Sequence, residues 1–170
     1  IGLGTGSVGA TKKLLDLSID YVKERHQFQQ PLADFELVQD KIGWMVSYLF
    51  GLESMAYLTC GLVDAGVEDC SLESAICKVS GTEFLWYAAN RAFQLHGGSA
   101  YMKDNPLEKV LRDIRIFPIF EGANDVMRAF IASVFRTAPV SRSTNSVSGT
   151  PHARWREISQ SGRSSTIARI

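Results

Sequence analysis

Three short stretches of this 170-residue chain carry residue types that could do chemistry. In Phe117-Pro118-Ile119-Phe120-Glu121-Gly122-Ala123-Asn124, one carboxylate follows an apolar run and sits beside a glycine, just before a helix start. Desolvation there would move Glu121 toward the range of a general base, and the glycine would let a ligand approach the backbone. A plain helix-start carboxylate facing the helix dipole uses the same residue types. In Gln94-Leu95-His96-Gly97-Gly98-Ser99-Ala100-Tyr101, paired glycines after a helix can turn backbone N–H groups toward a phosphate. An ordinary helix C-cap is the simpler account of that pair, and His96 reads as a packed histidine rather than a ligand. In Glu24-Arg25-His26-Gln27-Phe28, the Arg could pair with a phosphate and the aromatic could stack on a base. A solvated helix end that favours a cation is the plainer reading. Arg112-Asp113-Ile114-Arg115 reads as a salt-bridged surface.

The elements that must position these stretches follow from apolar spacing. A first helix is expected from about Ser7 to Phe28 through Val8, Leu14, Leu15, Ile19 and Val22, ending near Gln30-Pro31 because proline cannot continue it. Its small-residue start (Gly4, Gly6, Gly9, Ala10) would permit close backbone approach. Asp34 offers an N-cap for a second helix through Phe35, Val38, Ile42, Met45 and Leu49 to about Val63, broken by Gly66. Ser71 is the expected cap of a third helix, Leu72 to Leu95, closed by Gly97-Gly98. Tyr101 to Asp104 reads as a turn, Leu107 to Phe120 as an apolar-basic segment interrupted by Pro118, and Asn124 to Phe135 as a final helix. With no sustained period-two alternation, the fold class is all-α, an antiparallel helical bundle.

Composition divides the chain. Residues 138–170 hold five Arg, eight Ser and three Thr against one acid, Glu157, a net charge of +4. Subtracting them from the totals of 18 basic and 18 acidic leaves 13 and 17 in residues 1–137, net −4. The Ser/Arg segment cannot bury enough apolar surface to offset its ordering entropy, so residues 138–170 are expected to be a disordered tail on a single domain, 1–137. Zero net charge speaks against nucleic acid as a partner. Cys60, Cys70 and Cys77 form no C-x-x-C pair and have no His at ligand spacing; they read as thiols in a reducing compartment, with no metal site. No apolar run approaches the roughly 20 residues of a membrane span, and no targeting peptide is visible. The start at Ile1 suggests a fragment of something longer.

Taken in order, Arg25-x-Gln27-Phe28, Gln94-x-x-Gly97-Gly98-x-x-Tyr101, Leu111-Arg112-Asp113-x-Arg115 and Phe120-Glu121-Gly122-x-Asn124 resemble the C-terminal helical domain of acyl-CoA dehydrogenases. The resemblance covers about residues 4 to 135, and the run from Gly51 to Thr59 looks most like the very-long-chain branch. It implies a four-helix-type bundle that in the family follows an N-terminal helical domain and a middle β domain. It also implies noncovalent FAD and removal of an α- and a β-hydrogen from an acyl-CoA thioester in fatty-acid β-oxidation. A mitochondrial location, electron-transfer flavoprotein as electron acceptor and a homo-oligomer are implied with it.

On that resemblance Glu121 falls on the catalytic base. Some branches place the base on the helix equivalent to the first one here, where this sequence has no acid before Asp16. Arg25, Gln27 and Phe28 look like contacts to the FAD of a neighbouring subunit, and Gln94, Gly97 and Gly98 match the segment touching that FAD's adenosine-diphosphate portion. Gly122 resembles the glycine against the substrate thioester, while Ala123, Asn124 and Asp125 match the flavin-contacting start of the last helix. Two positions depart from the family: Ala123 replaces the usual Thr, and Ser99-Ala100 replaces a variable-Gly pair. Such chemistry needs a positioned base in a dry pocket and hydrogen-bond donors aimed at the developing enolate oxygen. The alternative is a noncatalytic helical oligomerisation module that lacks the flavin-holding domains.

Overall fold

Small residues let two helices approach closely. A Cβ on Gly4 would lie 2.8 Å from the Cys77 carbonyl oxygen, and one on Gly81 would lie 2.9 Å from the Gly4 Cα. These glycines let helix α1 (Gly2–Glu24) and helix α3 (Ser71–His96) press backbone to backbone. The two helices run in the same direction. The Ile1 amino group donates to Ser74 Oγ at 3.1 Å at one end, and Tyr21 stacks on His96 at 4.1 Å at the other. Ser7, Thr11 and Ser18 sit buried on the packing face of α1, where each hydroxyl donates to the carbonyl four residues back at 2.7 Å. Those bonds remove the cost of burying unpaired polar groups.

The computed structural model describes residues 1–137. The expected tail at 138–170, and with it the boundary after residue 137, lies outside the described residues. Helix α2 (Glu36–Asp64) runs antiparallel to its two neighbours, with Lys12 paired to Glu53 and Trp44 and Tyr48 set against Tyr87 and Phe84. Val8, Leu15, Met45, Leu49, Leu52, Cys77 and Phe84 form the core between these three helices. A second cluster, built on Leu14, Leu85, Ala100, Leu107 and Ile114, seats the short helix α4 (Pro106–Ile114). Each large apolar side chain buried this way contributes roughly 1.5–3 kcal/mol. Helix α5 (Asn124–Thr137) closes against α3.

The all-α bundle is as expected, but several boundaries move. The first helix ends at Glu24, short of Phe28, and the chain turns through a two-stranded antiparallel hairpin, β1 (His26–Gln27) and β2 (Gln30–Pro31). Phe28 and Gln29 at its tip have φ of 53° and 69°. Positive φ at both central positions belongs to the type I′ hairpin turn, ordinarily an Asn-Gly preference, so the sequence carried no hairpin signal. Asp34 does not cap α2. It ends a 3-10 turn, Leu32–Asp34, and Phe35 takes the cap position. Ser71 likewise lies inside α3: Cys70 takes the cap position without a side-chain cap bond, and the Asp69 carboxylate one residue earlier accepts the Ser71 backbone N–H at 3.1 Å. Gly97, φ 58°, terminates α3 as expected, but a 3-10 turn follows at once over Gly97–Tyr101. α4 stops at Ile114, well before Phe120.

Against the sequence expectation, α2 is long and apolar enough to cross a membrane by length and composition. One face of it packs in the core through Met45, Leu49, Leu52, Ala56 and Leu62, as a bundle helix does. Its other face leaves Leu37, Phe50, Tyr57 and Leu58 exposed.

Candidate functional site

The chain from Arg115 to Ala123 leaves the helical path in a series of turns and re-enters it at Asn124. Glu121 and Gly122 take φ of 53° and 93°, so two consecutive residues occupy the left-handed region. For glycine this is free; for glutamate it costs of order 1 kcal/mol or more and persists only where the surroundings impose it. A side chain on Gly122 would in addition run into Met127. Glu121 is exposed, so the desolvation expected from its apolar leader is not supplied by the described residues.

What imposes this turn comes mostly from α3. Lys78, only 5 % exposed, donates from Nζ to the Gly122 carbonyl at 2.8 Å and to Asn124 Oδ1 at 2.6 Å. Burial holds the Lys78 ammonium below its ordinary 10.5, while Glu121 and Glu83 pull the other way. Asn124, also 5 % exposed, donates from Nδ2 to Thr82 Oγ1 at 3.0 Å and to Glu83 Oε1 at 3.1 Å. Its backbone N–H reaches the Pro118 carbonyl at 2.9 Å, and Arg128 pairs with Glu83. The start of α5 is therefore bolted to α3 by a polar cluster. Gly122, Ala123 and Asn124 lie within it or against it, and Asp125 is exposed beside it.

The other candidates gather at the opposite end of α3. Tyr21 donates to the His96 carbonyl at 3.2 Å and stacks on its ring, which brings the end of α1 to the end of α3. Arg25, Gln27 and Phe28 on the hairpin and Gln94, Gly97 and Gly98 at the helix end are all exposed there. Phe28, 88 % exposed, is held at the turn tip with its ring 6.3 Å from Phe35. Lys78 and His96 are 18 residues apart on one helix, which at about 1.5 Å per residue separates the two ends by about 27 Å.

His96 is packed, as expected, with Nδ1 donating to the Ala92 carbonyl at 2.8 Å. Arg112 pairs with Glu108 and Asp113 with Lys109, the salt-bridged surface read from that segment. Cys60, Cys70 and Cys77 are free thiols, Cys77 buried, and no metal-ligating cluster exists among the described residues. Lys78, Thr82 and Glu83 were missed by sequence reasoning. Their only signal was Lys78 and Thr82 four positions apart on a face that also carries Ala75 and Leu85.

The fold and the candidate residues exposed at its two ends define an all-α domain of five helices among the described residues. The family model described as "Acyl-CoA dehydrogenase, C-terminal domain" matches residues 1–135. The chain belongs to the acyl-CoA dehydrogenase family, of which it contains this domain. It is 38 % identical over 131 residues to the very long-chain specific mitochondrial enzyme of Macaca fascicularis, covering 77 % of this chain and 20 % of that one. A probable acyl-CoA dehydrogenase of Bacillus subtilis is 35 % identical over 151 residues, covering 78 % of this chain and 25 % of that one. The solved acyl-CoA dehydrogenase of Bacillus anthracis complexed with FAD superimposes with a TM-score of 0.73 at 32 % identity, over 79 % of this chain and 26 % of that one. The chain thus spans about a fifth of the length of the first-named relative.

Proposed function

We propose that this chain supplies the C-terminal part of an FAD-dependent dehydrogenase that oxidises long-chain acyl-CoA thioesters at the α,β-bond, with Glu121 as the base. The observation that carries this reading is the Glu121–Gly122 turn, a carboxylate presented on left-handed backbone beside a glycine and at a helix start. Glu121 would take the α-proton; its exposure leaves it free to meet a substrate brought by other domains, which would also exclude water. Gly122 would meet the thioester through its backbone, since the space a Cβ would take is already filled by the Met127 methyl.

The residues at the other end fit a dinucleotide cofactor of the kind bound to the Bacillus anthracis protein. Arg25 offers a cation for a phosphate and Phe28 an exposed ring for stacking. Gln94 adds a side-chain amide, and around Gly97 and Gly98 the space is open. When bound, FAD supplies the acceptor for the β-hydride. The separation of about 27 Å along α3 supports assigning the two ends to different flavins. Ala123, Asn124 and Asp125 would face the flavin that works with Glu121, while Arg25, Gln27, Phe28, Gln94, Gly97 and Gly98 would face one held by a neighbouring subunit. Ala123 offers no hydroxyl to that cofactor, and Ala100 is fully buried where the family carries glycine.

A homo-oligomer would cover the exposed apolar face of α2 and the apolar hollow of about 620 Å³ between α2 and α3, lined by Trp44, Tyr48, Phe84 and Tyr87. Acceptance of electrons by an electron-transfer flavoprotein and a mitochondrial setting belong to the same reading; the latter rests on relatives such as the macaque enzyme, beside which bacterial ones stand. The exposed α2 face also favours a second reading, a noncatalytic helical oligomerisation module. Adding FAD and a long-chain acyl-CoA to the purified chain tests catalysis by the chain alone, and Glu121→Gln in the full-length protein tests the base. Flavin retention with bleaching supports catalysis by these residues; retention of neither flavin nor activity sinks catalysis by this chain alone, and full activity of the Glu121→Gln full-length protein favours the module.

A further inference from the structure

Lysine is almost never buried unless paired, and the usual partner is a carboxylate. The buried ammonium of Lys78 instead donates to two neutral oxygens, the Gly122 carbonyl and Asn124 Oδ1. An apolar side chain of similar length would fill the same space without the cost of desolvating a charge. What the cation adds is a fixed point beneath a backbone that would not hold itself, since Glu121 is left-handed without being glycine. The support is graded: Lys78 holds the turn, Asn124 links turn to helix, and Thr82 and Glu83 orient Asn124. Thr82 in turn donates to the Lys78 carbonyl at 2.9 Å, which ties the cluster back to one turn of α3.

We propose that Lys78 is a positioning residue that sets where the Glu121 carboxylate is presented, by binding the carbonyl of the next residue from inside the bundle. The inference rests on the reading of Glu121 as the base. Lys78 touches neither substrate nor cofactor in this account; it acts through the turn. Arginine retains the charge and several donors, glutamine retains a donor without charge, and methionine retains only the bulk.

The test has two arms. In the purified 170-residue chain, amide hydrogen exchange at Gly122–Asn124 is compared with exchange in the middle of α3 for Lys78→Met, Lys78→Gln and Lys78→Arg. The expected result is exchange at least tenfold faster at the turn for Met and Gln, with Arg near the parent and the middle of α3 little changed. In the full-length FAD-loaded protein, Lys78→Gln is expected to lower kcat tenfold or more with KM for a long-chain acyl-CoA within about twofold, and Lys78→Arg to recover most of it. Should Lys78→Met unfold, Lys78→Gln carries both arms. Parent-like exchange at the turn, or a kcat unchanged in both neutral variants, overturns the proposal. A Glu121→Gln control that stays active overturns the base assignment instead, while the exchange arm still decides whether Lys78 holds the turn.

Discussion

The two ends of α3 both carry left-handed backbone on residues other than glycine, yet they hold it differently. At Glu121 the constraint is a buried polar cluster reaching across from another helix, Lys78 to Gly122 and Asn124 to Thr82 and Glu83. At Phe28 and Gln29 it is the two-residue ladder of the hairpin, the Leu32 N–H donating to the Arg25 carbonyl at 2.8 Å, and the Tyr21–His96 stack at its base. Buried hydrogen bonds in a low-dielectric setting fix a geometry tightly, whereas an exposed hairpin of two pairs holds only weakly. On the proposed function, the first arrangement would hold a base at one place, and the second would leave the hairpin more adaptable.

Breaking what the two ends share has the largest expected effect. Gly81→Val forces a side chain into the Gly4 backbone, with a predicted loss of about 2–3 kcal/mol and loosening at both ends together. Chemical denaturation measures the loss, and exchange at Gln27 and Asn124 reads the two ends. Replacing Phe28-Gln29 by Asn-Gly separates them. Relief of the turn is expected to stabilise the chain by about 1–2 kcal/mol, while loss of the exposed ring weakens FAD retention in the oligomer; exchange at Asn124 should stay unchanged. Asn105→Ala removes the side chain that accepts from the Leu107 N–H at 3.0 Å, and the expected cost is about 1 kcal/mol. That loss should be confined to α4 and leave exchange at Gln27 and Asn124 unchanged.

The smallest effect is a pH dependence belonging to one end alone. Burial places the folded-state value of Lys78 below 10.5, so between the two values the unfolded chain binds more protons than the folded one. Stability therefore rises with pH across that window as far as this lysine is concerned. Denaturation midpoints measured across the alkaline range should show a component of that sign in the parent and lose it in Lys78→Met.

The sequence was legible where one face of a helix decides the outcome. The helical stripes at Leu14, Leu15, Met45 and Leu49 located the bundle, and Gly66 and Gly97 marked two helix ends. It was illegible where a neighbour decides. Cys70, not Ser71, holds the cap position of α3, and the hairpin at His26–Pro31 uses residues with no turn preference, so its cause is tertiary. Glu121 stood out by its company of Phe120 and Gly122, but its exposure could not be read from those neighbours. Lys78 was invisible because a lysine in a helix reads as solvated, and only folding puts it under a turn 44 residues away.

On the proposed function, the turn beside α3 presents the base of an acyl-CoA dehydrogenation. The most direct measurement is flavin bleaching by a long-chain acyl-CoA in the FAD-loaded full-length protein carrying Glu121→Gln. Flavin is expected to remain bound and bleaching to slow by about a thousandfold or more, the scale of a lost general base with its positioning intact. Bleaching at the parent rate would place the base elsewhere and contradict it.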